Sequence, residues 1–219
     1  MTPRPPACRR DADAGYTMVE LLVAMSIFTV LLTVFLSGLL VVYKDTAKTQ
    51  AVGASADALR SSFLRLDRQV RYADAVNFPG TVNGTDYVEF RIPGQGGAVG
   101  TCYQWRRTAT GTLDWRSWPT SGTAPTSWLT VATDVQPAPA ATNGVAVPVF
   151  AVTPAGKDGR VHSQLAVNVM STRSASNGAD RLSATFVATN TGVDSAGNAD
   201  ANADLISDNP VCTPSSTRS

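Results

Sequence analysis

The sequence predicts an α+β chain in which one long N-terminal helix, apolar in its first half and amphipathic in its second, packs on an antiparallel β-rich head. Three observations predict it. Tyr16 to Tyr43 is a nearly unbroken apolar run; apolar residues then recur at steps of four and three from Val52 to Ala73; and beyond Asn77 short alternating segments are separated by Gly, Pro and Asn. A length of 219 residues leaves room for one ordinary domain and an anchor, not for two domains and a linker.

Composition narrows the partners. With 18 Lys and Arg against 17 Asp and Glu, no long-range field draws the chain to nucleic acid or to an acidic membrane surface. Charged residues make up only 16%, and Gly, Ser, Thr, Ala and Asn are frequent, which suits turn-rich β-structure better than a helical bundle.

Residues 1–15 carry Arg4, Arg9 and Arg10 and no apolar core, so they read as a leader that stays in the cytoplasm rather than as a secretory signal. In the following run, residues 16–43, Glu20 is the only charged side chain. At about 1.5 Å per residue the run slightly exceeds a hydrocarbon core of about 30 Å. The basic residues before it predict an N-terminus on the cytoplasmic side of the cytoplasmic membrane, a single pass, and everything after Lys44 outside. A carboxylate in an apolar span costs roughly 2.5 to 3.5 kcal/mol at the centre and less near the interface, so Glu20 calls for a partner charge. A cut after Gly15 supplies one: the new α-amino group of Tyr16 lies about one helical turn from Glu20, and in a staggered assembly the amine of one subunit meets the carboxylate of another.

The segment from Gly15 through Tyr16, Thr17 and Glu20 to Met25, GYTMVELLVAM, closely resembles the class III signal of type IV prepilins and pseudopilins, in which Gly, a hydroxyl residue, Glu and an uninterrupted apolar helix occur at this spacing. The resemblance implies a pilin-like fold. It also implies cleavage between Gly15 and Tyr16 by a prepilin peptidase that methylates the new amino terminus, and a role in subunit assembly for Glu20. The implied partners are that peptidase, other major and minor pilins or pseudopilins, and an inner-membrane assembly platform; the implied destination is a surface filament. Two positions depart from the pattern: Tyr16 stands where Phe is usual, and no proline interrupts the span, leaving Ser37-Gly38 as its weak point.

Beyond the span, Val52, Ala56, Leu59, Phe63, Leu66, Val70 and Ala73 form one helical stripe, with Arg60, Arg65, Asp67, Arg68 and Arg71 largely off it, so the helix is expected to run to about Ala75. The stretch Phe63 to Ala73, FLRLDRQVRYA, is similar to the corresponding helix of PilW-type minor pilins and of the J-type minor pseudopilins of type II secretion. That second resemblance implies a low-copy subunit that primes or caps a filament.

Strands are expected from about Asp86: Tyr87–Ile92, Cys102–Arg107 and Leu113–Trp118 as a meander, Trp128–Thr133 at an edge, then Val145–Val152, Gln164–Ser171 and Leu182–Thr189, with Gln136–Gly144 as a loop. The expected divisions are thus a leader (1–15), a membrane half-helix (16–43), an amphipathic half-helix (44–76), the head (77–190) and a flexible C-terminal tail (191–219) unless Cys212 pins it. After loss of the leader with Cys8, Cys102 and Cys212 remain as a candidate disulfide. Closing a loop of about 110 residues stabilises by about 4 to 5 kcal/mol if chain entropy dominates.

Other candidate chemistry reads as structural. Trp105-Arg106-Arg107 with Trp115, Arg116 and Trp118 interleaves aromatics and cations as single-strand nucleic-acid platforms do, yet Arg stacked on Trp is also a common way to cover a sheet, and packing is the preferred reading. Asn198, Asp200, Asn202 and Asp204 alternate like a Ca²⁺ loop, but Ala203 stands at the required glycine position and no glutamate closes it, so no metal is expected. His162 has no cysteine, carboxylate or nucleophile pattern around it, and neither a cofactor nor an enzymatic activity is expected. A minor pilin or pseudopilin is the leading function; a tip adhesin or DNA receptor, and less so a signal-anchored enzyme, are the alternatives.

Overall fold

The computed structural model describes residues 17–140, 144–171, 181–212 and 218. The chain divides into two compact units, one ending at Thr49 and one from Gln50 onward. A single helix, α1 (Met18–Arg71), contributes to both and is 54 residues long.

In the first unit α1 stands without tertiary neighbours. Every described side chain up to Thr49 is exposed, including Leu22, Met25, Phe28, Leu31, Phe35 and Leu40. In the second unit the same helix becomes one-sided: Leu59, Phe63, Leu66 and Val70, at steps of four, three and four, are buried together with Ser62. Val52 and Ala56 of the expected stripe are only half-buried, so burial takes hold at Leu59.

The helix ends at Arg71, short of the expected Ala75. The Ala73 N–H bonds to the Val70 carbonyl at 3.0 Å, and the Asp74 N–H donates to the Arg91 carbonyl at 2.9 Å. The Asp74 carboxylate also grips the Arg91 guanidinium at 2.8 Å, so the chain joins the sheet directly after its last helical turn. That ion pair holds the Arg91 pKa above its ordinary value, chiefly through the hydrogen bond to Asp74.

The first strands therefore precede Asp86. β1 (Ala75–Val76) and β2 (Gly80–Val82) lie end to end along one edge of β3 (Thr85–Ile92). Pro79, which has no N–H to give to a ladder, falls in the gap between them. Asn83 and Gly84 close the β2–β3 hairpin with φ of 49° and 74°, the positive values that a tight two-residue turn matching strand twist demands. β4 (Thr101–Arg107), β5 (Leu113–Pro119) and β6 (Leu129–Ala132) complete an antiparallel sheet of six strands in the order β1-β3-β4-β5-β6, with β2 beside β3.

A second, four-stranded sheet repeats this plan. β7 (Val135–Pro137) and β8 (Phe150–Thr153) share one edge of β9 (Gln164–Ser171), and β10 (Arg181–Val187) takes the other. Two expectations fail here. Val135–Pro137 pairs with β9 although Gln136 onward reads as loop, and the expected strand from Val145 begins only at Phe150, after Pro148.

The inner faces of both sheets close on the helix. Val88, Phe90, Trp105 and Leu113 from the first sheet and Val135, Phe150, Leu165, Val167 and Val169 from the second share one core with Leu59, Phe63, Leu66 and Val70. Phe63 meets Phe186 of β10 at 5.8 Å between ring centroids.

The segment after β10 is fastened to the head through Cys212 rather than left free. The Asn77 side chain donates to the Val211 carbonyl at 2.6 Å and accepts the Val211 N–H at 2.8 Å, and the Phe78 N–H reaches the Ser207 hydroxyl at 2.9 Å. Its poverty in apolar residues is offset by these buried polar bonds and by a covalent link from Cys212 to Cys102, whose Cα atoms are 5.4 Å apart. Residues 213–217 and 219 lie outside the described residues, whereas Arg218 reaches the fully buried Glu89 at 2.7 Å.

Candidate functional site

The start of α1 holds the one charged side chain between Thr17 and Tyr43. Gly15 and Tyr16, the expected processing residues, lie outside the described residues. Thr17 caps the helix: its hydroxyl accepts the Glu20 N–H at 3.3 Å, while its carbonyl accepts the Leu21 N–H at 3.2 Å. A hydroxyl residue followed three positions later by Glu is the spacing of a helix N-cap. The motif thus begins the helix as well as marking it, a local signal present in Thr17-x-x-Glu20 that the sequence reading counted only as part of the resemblance. The cap puts the Glu20 carboxylate on the first turn, where unsatisfied N–H groups give the helix a partial positive end that favours an anion.

From Leu21 to Tyr43 the helix is clothed in exposed aliphatic and aromatic side chains and is long and apolar enough to cross a membrane. Its polar exceptions neutralise themselves. The hydroxyls of Ser26 and Ser37 donate to carbonyls three residues back, and those of Thr29 and Thr33 to carbonyls four residues back, at 2.7 to 2.8 Å. These four hydroxyls thus need no water, and a helix apolar all round with its backbone satisfied is the form that crosses lipid.

The Trp and Arg residues of β4 and β5 are spent on packing. Trp105 is fully buried on the helix side of the first sheet, its indole N–H bonded to Gln69 at 2.9 Å. Phe90, Tyr103, Trp115 and Trp105 form a stacked series with centroids 5.6 to 6.1 Å apart, and Arg65 of the helix lies 5.0 Å from the Trp115 ring. On the opposite face Arg106 and Arg116 sit 3.9 and 4.1 Å from the Trp128 ring centroid. Arg106 is paired with Asp114 at 2.9 Å and Arg107 with Asp86, while Arg116 donates to Gln104 and to the Pro125 carbonyl. Burial, and then the neighbouring Arg106, hold the Arg116 guanidinium below the usual arginine pKa. Cations engaged in this way do not form a free groove for a nucleic-acid backbone.

The remaining candidates are likewise occupied. A ring nitrogen of His162 is 2.7 Å from the Thr191 carbonyl, and the adjacent Ser163 hydroxyl donates to Asn198. In the acidic segment, Asp200 accepts the N–H groups of Asp204 and Leu205, and Asp208 accepts that of Ala201. Among the described residues no group of three or more His, Cys, Asp or Glu side chains is placed to hold a metal ion.

The prokaryotic N-terminal methylation motif matches residues 10–36 of the chain, spanning the expected cut, the Thr17–Glu20 cap and most of the apolar run. No curated protein and no solved structure is significantly similar to it. Together the motif and the fold support a type IV pilin-like protein: a long N-terminal helix, anchored in the membrane by its apolar part, on an α+β head. The motif points to a structural rather than an enzymatic role, and it implies processing by prepilin peptidase and assembly with other pilins.

Proposed function

We propose that this chain is a minor type IV pilin or pseudopilin, a low-copy subunit that primes or caps a filament built by a pilus, competence or type II secretion machine. The observation that carries the reading is the coincidence, at the head of one apolar helix, of Gly15-Tyr16, the capped Glu20 and the methylation motif. In this reading the peptidase cuts after Gly15, Glu20 meets the freed amine of a neighbouring Tyr16, and the apolar surface of residues 16–43 passes from lipid to neighbouring helices as the filament is extruded through the inner-membrane platform. The minor role is favoured by the likeness of Phe63–Ala73 to PilW-type and J-type subunits and by a head of two sheets.

Quantifying the chain in sheared filaments tests the minor role. A few copies per filament, with a sharp fall in filament number when the chain is deleted, is the expected result. A chain as abundant as the main building block would make it a major pilin instead.

A further inference from the structure

We infer that the outer face of α1 in the head is a docking surface for the acidic C-terminal loop of a second copy of this chain. The proposal rests on the pilin-like reading and names the contact through which such subunits would recognise one another.

The outer face lies opposite the buried stripe of Leu59, Phe63, Leu66 and Val70. It presents Arg60, Leu64, Arg68 and Arg71 at helical spacings of four and three, with Tyr72 in the turn directly after the helix. Leu64 and Tyr72 are 61% and 58% exposed. Arg60 and Arg68 make no hydrogen bond or ion pair among the described residues, while Arg71 is matched by Asp67 at 2.7 Å. Asp57 subtracts from the charge of this face but leaves it net positive.

The loop has the converse character. Leu205 and Ile206 are 61% and 62% exposed, at the centre of Asp200, Asp204 and Asp208. Neither Lys nor Arg occurs from Leu182 to Cys212, so nothing within the segment offsets these charges, and none of the three carboxylates is in an ion pair among the described residues. Asp208 accepts the Ala201 N–H, Asp200 those of Asp204 and Leu205, and Asp204 the Ile206 N–H and the Asn202 side-chain amide; these bonds use only part of each carboxylate's accepting capacity, and they fix the loop's shape before any partner arrives.

Each surface is thus an apolar centre in a charged rim, and the rims are opposite in sign. An apolar centre with a polar rim is the anatomy of a recognition surface, and matched potentials set its register and partner. Because the two patches are different regions of one chain, their contact is heterologous: the basic face of one copy meets the acidic loop of the other, with no two-fold exchange of the same patch, and the few copies of a low-copy subunit suffice for it.

The test uses full-length chains co-expressed with two different tags in cells that carry the prepilin peptidase, one chain with Leu64→Cys and the other with Ile206→Cys, treated with a short thiol cross-linker. Both sites are exposed, so neither substitution touches the core. The expected product joins the two tags, is absent when both copies carry Leu64→Cys or both carry Ile206→Cys, and falls by about tenfold or more when Arg60→Glu and Arg68→Glu are added. Equal cross-linking in the like-with-like pairs, or cross-linking to a different protein alone, would overturn the proposal. Mass analysis of the same samples separates the two ideas: a processed chain without the mixed product sinks this contact only, whereas an uncut chain sinks the pilin-like reading and this contact with it.

Discussion

The two halves of α1 share a backbone geometry and differ in everything their side chains meet. Between Thr17 and Thr49 each described residue is exposed, and the apolar groups face outward on all sides. From Leu59 to Val70 the apolar groups occupy one stripe and the arginines another, and the stripe is covered by two sheets. A helix apolar all round has no use for a core of its own, so its stability in the head-side sense is nil and its energetics belong to lipid or to neighbouring helices. The amphipathic half belongs to the folded domain. One continuous helix therefore serves two solvents, and substitutions in its halves should be read out by different assays.

The largest expected effect follows Glu20→Ala. The chain should remain in the membrane with its head folded, yet its recovery in sheared filaments should fall to near background if, as proposed, Glu20 is what the Tyr16 amine of a neighbouring subunit meets. Undiminished incorporation would remove Glu20 from the assembly account.

Next come changes in the head. Cys102→Ser with Cys212→Ser should lower head stability by about 4 to 5 kcal/mol if loop entropy dominates, seen as a lower denaturation midpoint. Leu66→Ala, in the covered half, should cost about 2 to 5 kcal/mol, whereas Leu31→Ala, in the uncovered half, should leave the head's midpoint within about 0.5 kcal/mol. Equal effects of the two substitutions would break the division drawn here. Arg218→Ala should cost about 1.5 to 3 kcal/mol, since it strips the fully buried Glu89 of the charged hydrogen bonds from Arg218 and leaves it, among the described residues, the side-chain bond from Gln104. A neutral result would show that Arg218 contributes nothing to the packing of the C-terminus.

What could be foreseen in the sequence follows the reach of each signal. The stripe ending at Val70 and the Asn83-Gly84 turn are local: periodicity and two residues that tolerate positive φ suffice to place them. The middle strands of the first sheet fall close to expectation because their alternation is long. β1, β2 and β7 are only two or three residues each and owe their pairing to β3 and β9, partners that no short window reveals. Of the C-terminal segment only the Cys102–Cys212 link was foreseeable, because two cysteines remain once the leader is set aside. Its bonds to Asn77 and Phe78, more than a hundred residues away in sequence, leave no trace in its composition. At the functional end, the methylation motif over residues 10–36 is legible because it is written in consecutive residues; the proposed pairing of the α1 outer face with the loop around Asp204 is not, because only folding shows which side chains remain exposed.

The central claim, that the first half of α1 is a processed pilin-type anchor, is tested most directly by intact mass and N-terminal sequencing of the membrane-extracted chain from cells with and without prepilin peptidase. The account expects a chain beginning at methylated Tyr16 only where the peptidase is present. A chain beginning at Met1 in both would contradict it and leave a signal-anchored domain whose Glu20 has no assembly partner.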